Sequence, residues 1–177
     1  MLITSTPLLV GLLCSISCTT YPSISLEGKN MWIMKMLPVD SKYIFLSKIM
    51  VNLTIQLPII LLSLVIFSIS LSLNFINIFF LMLIPVLDSL FIAMFGLIVN
   101  LNYYDLNFTN EIKPIKQSFS AFITVMVGIL INIVPLLINI SVSKEIFFLI
   151  ISIVMIIINI ICYMYLHFKG PEKFLKI

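Results

Sequence analysis

The chain has 177 residues, 62% of them hydrophobic and only 10% charged, against about 25% charged in an ordinary soluble domain. That composition excludes a water-soluble fold. With ten lysines, no arginine and a net charge of +3, the chain also lacks the basic stripe that a nucleic-acid site requires.

Charge-free runs cover residues 1–26, 49–87, 119–143 and 146–167. A bilayer-spanning helix needs roughly 20 apolar residues. The expected fold is an all-α polytopic transmembrane helix bundle, one transmembrane domain over residues 1–177 with five spans. The first is about residues 2–18. It has no basic n-region and no small-x-small cleavage site, so it reads as a span and not as a secretory signal. Its Cys14 and Cys18 are four apart on one helical face. That spacing admits a metal pair, but small apolar packing residues account for it better, and no Cys/His pattern marks a zinc site.

The second and third spans, about 49–71 and 76–99, come from one run too long for a single helix. Asn74 marks the turn between them, and the second extends back toward Ser41. The fourth and fifth spans are about 119–140 and 146–166. Pro7, Pro58, Pro85 and Pro135 each fall inside a span, where proline removes one backbone bond and bends the helix. The five spans do not divide into matching halves, which argues against an inverted-repeat transporter.

The lysines fix an orientation. Connector 19–48 holds four, connector 101–118 holds two and the tail 168–177 holds three; the turn near Asn74 holds none, and residues 141–145 hold only Lys144. Cytoplasmic loops are enriched in lysine and arginine. The two longer connectors and the C-terminus are expected in the cytoplasm, and the N-terminus outside. An uncharged, outside-facing start suggests that further sequence precedes it.

SLEGKNMWIMKMLP, residues 25–38, concentrates charge and the lone tryptophan in one connector. Ser25 or Ser23 can cap a helix there and Pro38 can end it, so one short helix of about twelve residues is expected. It is apolar over most of its circumference. It suits either the membrane interface, with Trp32 at headgroup level, or a docking partner.

This stretch, continued as VDSKYIFLSKI, resembles a segment of ABC exporter permeases of the ABC-2 kind. The matching residues are Ser25, Glu27, Gly28, Lys29, Trp32, Lys35, Leu37, Pro38, Lys42 and Lys48, with Leu26 where the family pattern has arginine. LNFTNEIKPIKQS, residues 106–118, resembles a second segment of that family through Leu106, Asn107, Thr109, Asn110, Glu111, Lys116, Gln117 and Ser118. Phe108 stands in place of a tryptophan, and Tyr104-Asp105 in place of Pro-Lys. The resemblance covers most of this chain and the last third of a typical family member.

It implies a membrane-spanning permease subunit in the bacterial plasma membrane. ATP hydrolysis would belong to a separate ATP-binding cassette ATPase subunit, and the partners would include an upstream permease half or a second copy. Glu27, Gly28, Lys29, Trp32 and Lys35, with Asn110, Glu111 and Lys116, are the candidate contacts to that ATPase. The chain carries no G-x-x-x-x-G-K-[ST] loop of its own. No cofactor or metal is expected.

Asp88 is the acidic residue well inside a span. A charge at the bilayer centre costs about 2.5–3.5 kcal/mol on insertion scales. Two readings stand side by side: a cavity or substrate-cation site, or a protonated carboxyl bonded to Asn132, Asn139 or a serine. His167, with no carboxylate beside it, reads as interfacial. The sequons at Asn52, Asn107 and Asn139 fall in spans or on the inner side, so none is expected to carry glycan. No nucleophile-base set or carboxylate pair suggests an enzyme. The chain reads first as such an exporter permease, or a truncated or split piece of one; the second functional reading is a small stand-alone accessory or immunity membrane protein, and the third is a non-functional remnant.

Overall fold

The computed structural model describes residues 2–36, 38–105, 118–137 and 143–176. Among these, every regular element is helical: α1 (Leu2–Ile16), a 3-10 helix (Ser25–Asn30), α2 (Met31–Met36), α3 (Ser41–Leu71), α4 (Phe75–Asn102), α5 (Phe119–Leu137), α6 (Lys144–Phe168) and α7 (Gly170–Lys176). Four of them, α3 to α6, are long and apolar enough to cross a membrane, and α1 is a shorter apolar helix. The chain is a multi-pass helical membrane protein.

The hub is α4. It packs against α1, α3, α5 and α6, and against α7 near its end. The reason lies in where its small and polar residues fall. Ser89, Ala93, Gly96 and Asn100 recur at spacings of four, three and four, and all four are buried. Such a stripe lets neighbouring backbones approach closely, which is how helices associate where lipid removes the hydrophobic drive. On α5, Ser120, Thr124, Gly128 and Asn132 form a second buried stripe at a spacing of four. Ile92 and Leu97 of α4 and Ile60 of α3 are buried beside these stripes, while many large apolar side chains point outward: Leu62 and Ile69 of α3, Leu130 of α5 and Ile161 of α6 are all exposed. Pro7, Pro58, Pro85 and Pro135 all lie inside helices.

Local chemistry sets the ends. After Leu71 the chain turns through Ser72, which is left-handed at φ 46°, and α4 begins after Asn74. α1 stops at Ile16, so its 15 residues extend about 22 Å, less than the hydrocarbon thickness. It stops because Cys18 and Thr20 turn to bond the backbone of α4: the Thr20 hydroxyl donates to the Ala93 carbonyl at 2.7 Å. The chain beyond α6 does not run on as a plain tail. α7 folds back, and Phe174 buries its ring edge-on against Phe45, with centroids 5.6 Å apart.

α1 and α5 approach each other closely. A Cβ on Gly128 would stand 2.6 Å from the Ser15 Cβ and 2.9 Å from the Ile92 Cδ1. Gly128→Leu is expected to drive these helices apart, at about 1–3 kcal/mol, the usual cost of overpacking. Leu130→Ala, on the exposed face two residues away, should change stability by less than about 0.5 kcal/mol. Thermal unfolding of the two variants in detergent measures the difference.

Candidate functional site

The lysine-bearing connector is held to the bundle by side chains, not by a sheet or a long helix of its own. Its backbone leaves α1 and crosses beneath α3 and α4. Buried backbone groups there need partners, and polar side chains of the helices supply them. Asn52 of α3 accepts from both the N–H and the hydroxyl of Thr19, at 2.8 and 3.0 Å. Gln56 donates to the Cys14 carbonyl at 2.8 Å, one of the carbonyls left free at the end of α1.

Asn100 of α4 is the centre of this arrangement and is 0% exposed. Its carbonyl oxygen accepts from the backbone N–H of Ile24 at 2.8 Å and of Ser25 at 3.1 Å. Its amide donates to the Ser25 hydroxyl at 2.8 Å and to Ser120 at 3.4 Å. Ser25 also accepts from the Asp105 N–H, and Ser120 donates to the Tyr21 carbonyl. One asparagine thus joins the connector, the end of α4 and the start of α5. Burial raises the Tyr21 phenol above its ordinary value, so this neighbour stays neutral.

An ion pair closes the outer edge. The Lys48 ammonium meets Glu27 at 2.9 Å and donates to the Ser23 carbonyl at 2.9 Å. Between Glu27 and α2 stands Gly28, at φ 48° and ψ −127°. Residues with a side chain rarely adopt that backbone, and it kinks the stretch where one continuous helix is expected: the 3-10 helix Ser25–Asn30 bends at Gly28, and α2 follows. The continuous helix is therefore corrected: the chain bends at Gly28 so that Ser25 and Glu27 face the bundle and α2 points away.

α2 itself buries only Met31. Trp32 is 58% exposed, and Ile33 and Met36 are exposed beside it. Lys35 is exposed and donates to the Leu175 carbonyl of α7 at 3.4 Å. Lys173 of α7 bonds Asn102 at the end of α4. The first connector, the ends of α3 and α4 and the C-terminal helix thus gather at one end of the bundle, with their lysines. The candidate contacts Glu27, Gly28, Trp32 and Lys35 all lie at this end; Asn110, Glu111 and Lys116, and the side chain of Lys29, lie outside the described residues.

Asp88 lies apart from this end, in the middle of α4, and is 2% exposed. Its carboxyl and the Asn132 side chain lie close together against Gly11 of α1, with the Asn132 amide donating to the Gly128 carbonyl at 3.0 Å; Asn139 lies outside the described residues. His167 stacks on Tyr163 and meets the Lys42 ammonium at 3.3 Å near the same end as the connector. Cys18 bonds Thr20 and the Ile92 carbonyl and does not pair with Cys14.

The sequence reading passed over Asn100 and Gln56 and noted Asn52 only as a sequon. Their signal was an uncharged polar side chain inside an apolar run, a costly placement unless it has partners. No family model matches the chain, and no match is found among the curated proteins or the solved structures compared with it.

Asn100→Ala is expected to leave the N–H groups of Ile24 and Ser25 unsatisfied, at about 1–3 kcal/mol. Lys48→Met removes a partly exposed ion pair and should cost about 1 kcal/mol or less. Limited proteolysis within residues 19–36, with thermal unfolding alongside, should rank Asn100→Ala well above Lys48→Met.

Proposed function

We propose that the chain is the membrane-spanning permease subunit of an ATP-binding cassette exporter, or the C-terminal portion of one, driven by ATP hydrolysis in a separate subunit. The observation that carries this reading is the fixed connector. Ser25, Glu27, Gly28 and Lys48 are residues of the resemblance, and each has a definite job there. Ser25 bonds Asn100, Glu27 pairs with Lys48, and Gly28 makes the bend. A short helix tied in this way to α3 and α4 can pass a push from a partner into the spans, whereas a loosely tethered one would absorb it.

The exposed face of α2 supplies the contact. Trp32, Ile33 and Met36 offer apolar area, and Lys35 offers charge beside it. Aromatic anchors of this kind carry much of the energy in protein interfaces. The gathering of lysines at one end supports placing that end in the cytoplasm of a bacterial plasma membrane, with the N-terminus outside. An ATPase would dock there.

Two measurements test the reading. Tagged protein isolated from its native membrane should carry an ATP-binding cassette ATPase, and the Trp32→Ala/Lys35→Glu double variant should retain less than about a tenth of it, a loss in the range of interface anchors. Recovery of the intact wild-type chain without any ATPase would sink the proposal and favour a stand-alone accessory role. A membrane-impermeant maleimide should label Lys144→Cys in intact cells and Lys176→Cys only after the membrane is opened. The reverse pattern would invert the topology.

A further inference from the structure

A groove of about 810 Å³ lies between α3 and α6, over α4, on which both helices pack. Leu87, Leu90 and Met94 of α4 form its floor. Leu46 of α3 and Ile156 and Ile160 of α6 stand along its sides and are exposed, so it opens sideways, toward lipid. Over most of its length the groove is apolar.

One end is not. Asp40, Lys42 and Tyr43, where α3 begins, meet Tyr163 and His167, where α6 ends. The Lys42 ammonium reaches His167 Nε2 at 3.3 Å, so the two helices end at one level. Tyr43 and Tyr163 are exposed beside them, the placement of tyrosines at a membrane–water boundary. From His167 back to Ile156 is eleven residues of helix, or about 16 Å. Half the hydrocarbon core is about 15 Å thick. The groove is therefore polar at the membrane surface and apolar down to the bilayer centre, the length and outline of one phospholipid in one leaflet.

The mouth carries both signs of charge. Asp40 and Lys42 line it and are exposed, and among the described residues they form no ion pair with each other or with another side chain. A headgroup with a single charge meets one of them and leaves the other without a partner. A zwitterion meets both. Basic pockets between spans are known settings for lipid headgroups, and here an acid stands next to the base.

We propose that this groove holds a phosphatidylethanolamine molecule. Its phosphate accepts from Lys42 and His167, its primary ammonium donates to Asp40, and an acyl chain lies along Leu87, Leu90 and Met94. Phosphatidylcholine carries the same two charges, but its quaternary ammonium has no N–H to give the carboxylate, so it forfeits the charge-assisted hydrogen bond. Phosphatidylglycerol offers the phosphate without a cation and sets its charge against Asp40. The inference rests on the groove alone and holds whether or not the chain is a permease.

The test is native mass spectrometry of the delipidated full chain with equal amounts of phosphatidylethanolamine, phosphatidylcholine and phosphatidylglycerol of the same acyl chains. One phosphatidylethanolamine should be retained in preference to either competitor by about fivefold, the effect of one net hydrogen bond. Asp40→Ala should abolish that preference, and Lys42→Gln/His167→Gln should weaken retention of all three lipids. Ile160→Trp, a change at the exposed side that leaves the polar end in place, should also reduce retention by obstructing the groove. All of these positions are at the surface, so the variants should fold. Equal retention of the three lipids by the wild type would overturn the proposal, and so would an undiminished preference in Asp40→Ala. A dimer in which Leu46→Cys and Ile160→Cys cross-link between copies would overturn it too, since a second copy of the chain would then cover the groove.

Discussion

The structure depends on a single constraint: a backbone that leaves its helix inside an apolar bundle must find other partners. Each unmet N–H or carbonyl in hydrocarbon costs several kcal/mol. Asn100 meets that demand where it is greatest, holding two consecutive connector N–H groups with one carbonyl. Asn52 and Gln56 do the same for Thr19 and Cys14. The Lys48–Glu27 pair is more visible but weaker, because a partly solvated ion pair gains little over its hydration. The neutral amides fix the path of the connector, and the ion pair secures its outer edge.

Small and polar residues line the closest helix contacts beside a core that buries Ile60, Leu81, Ile84, Ile92 and Leu97, while many other large aliphatic residues face outward. Gly128 of α5 against Ser15 of α1 shows why. Without a hydrophobic drive between helices, close backbone approach and interhelical bonds hold the bundle, and only small residues permit that approach. This arrangement also places Asp88 and Asn132 together at its centre. The residues that let helices meet are those that leave polar groups facing one another. Among the described residues, Asp88 Oδ2 and Asn132 Oδ1, close together against Gly11 of α1, have no hydrogen-bond partner.

Much of the fold was legible in the sequence because the bilayer makes length and apolarity decisive. The helical class, the apolar helices and the turn before Phe75 follow from run lengths and from Asn74. The bend at Gly28 was not legible: a glycine within twelve residues that otherwise favour a helix shows its use only once Ser25 must face Asn100. The end of α1 was legible to within two residues: the first span was expected to run to about residue 18, and nothing local announced that Cys18 would turn to the Ile92 carbonyl of α4. The short C-terminal helix was hidden for a related reason, as the contact between Phe174 and Phe45 joins residues far apart in the chain. At the candidate site, Glu27 and Lys48 were both noted, but 21 residues separate them, and nothing local announces their pairing. The stripe at Ser120, Thr124, Gly128 and Asn132 went unread, although its regular spacing of four was a signal for it.

The most direct test of this account is hydrogen–deuterium exchange at the Ile24 and Ser25 amides, in the full chain reconstituted in nanodiscs. If Asn100 fixes the connector, both amides should be protected to the same degree as the centre of α4 and should open only when the bundle does. Exchange at the rate of a solvent-exposed loop, while α4 stays protected, would contradict it: the connector would then be a tether, and α2 could not transmit force.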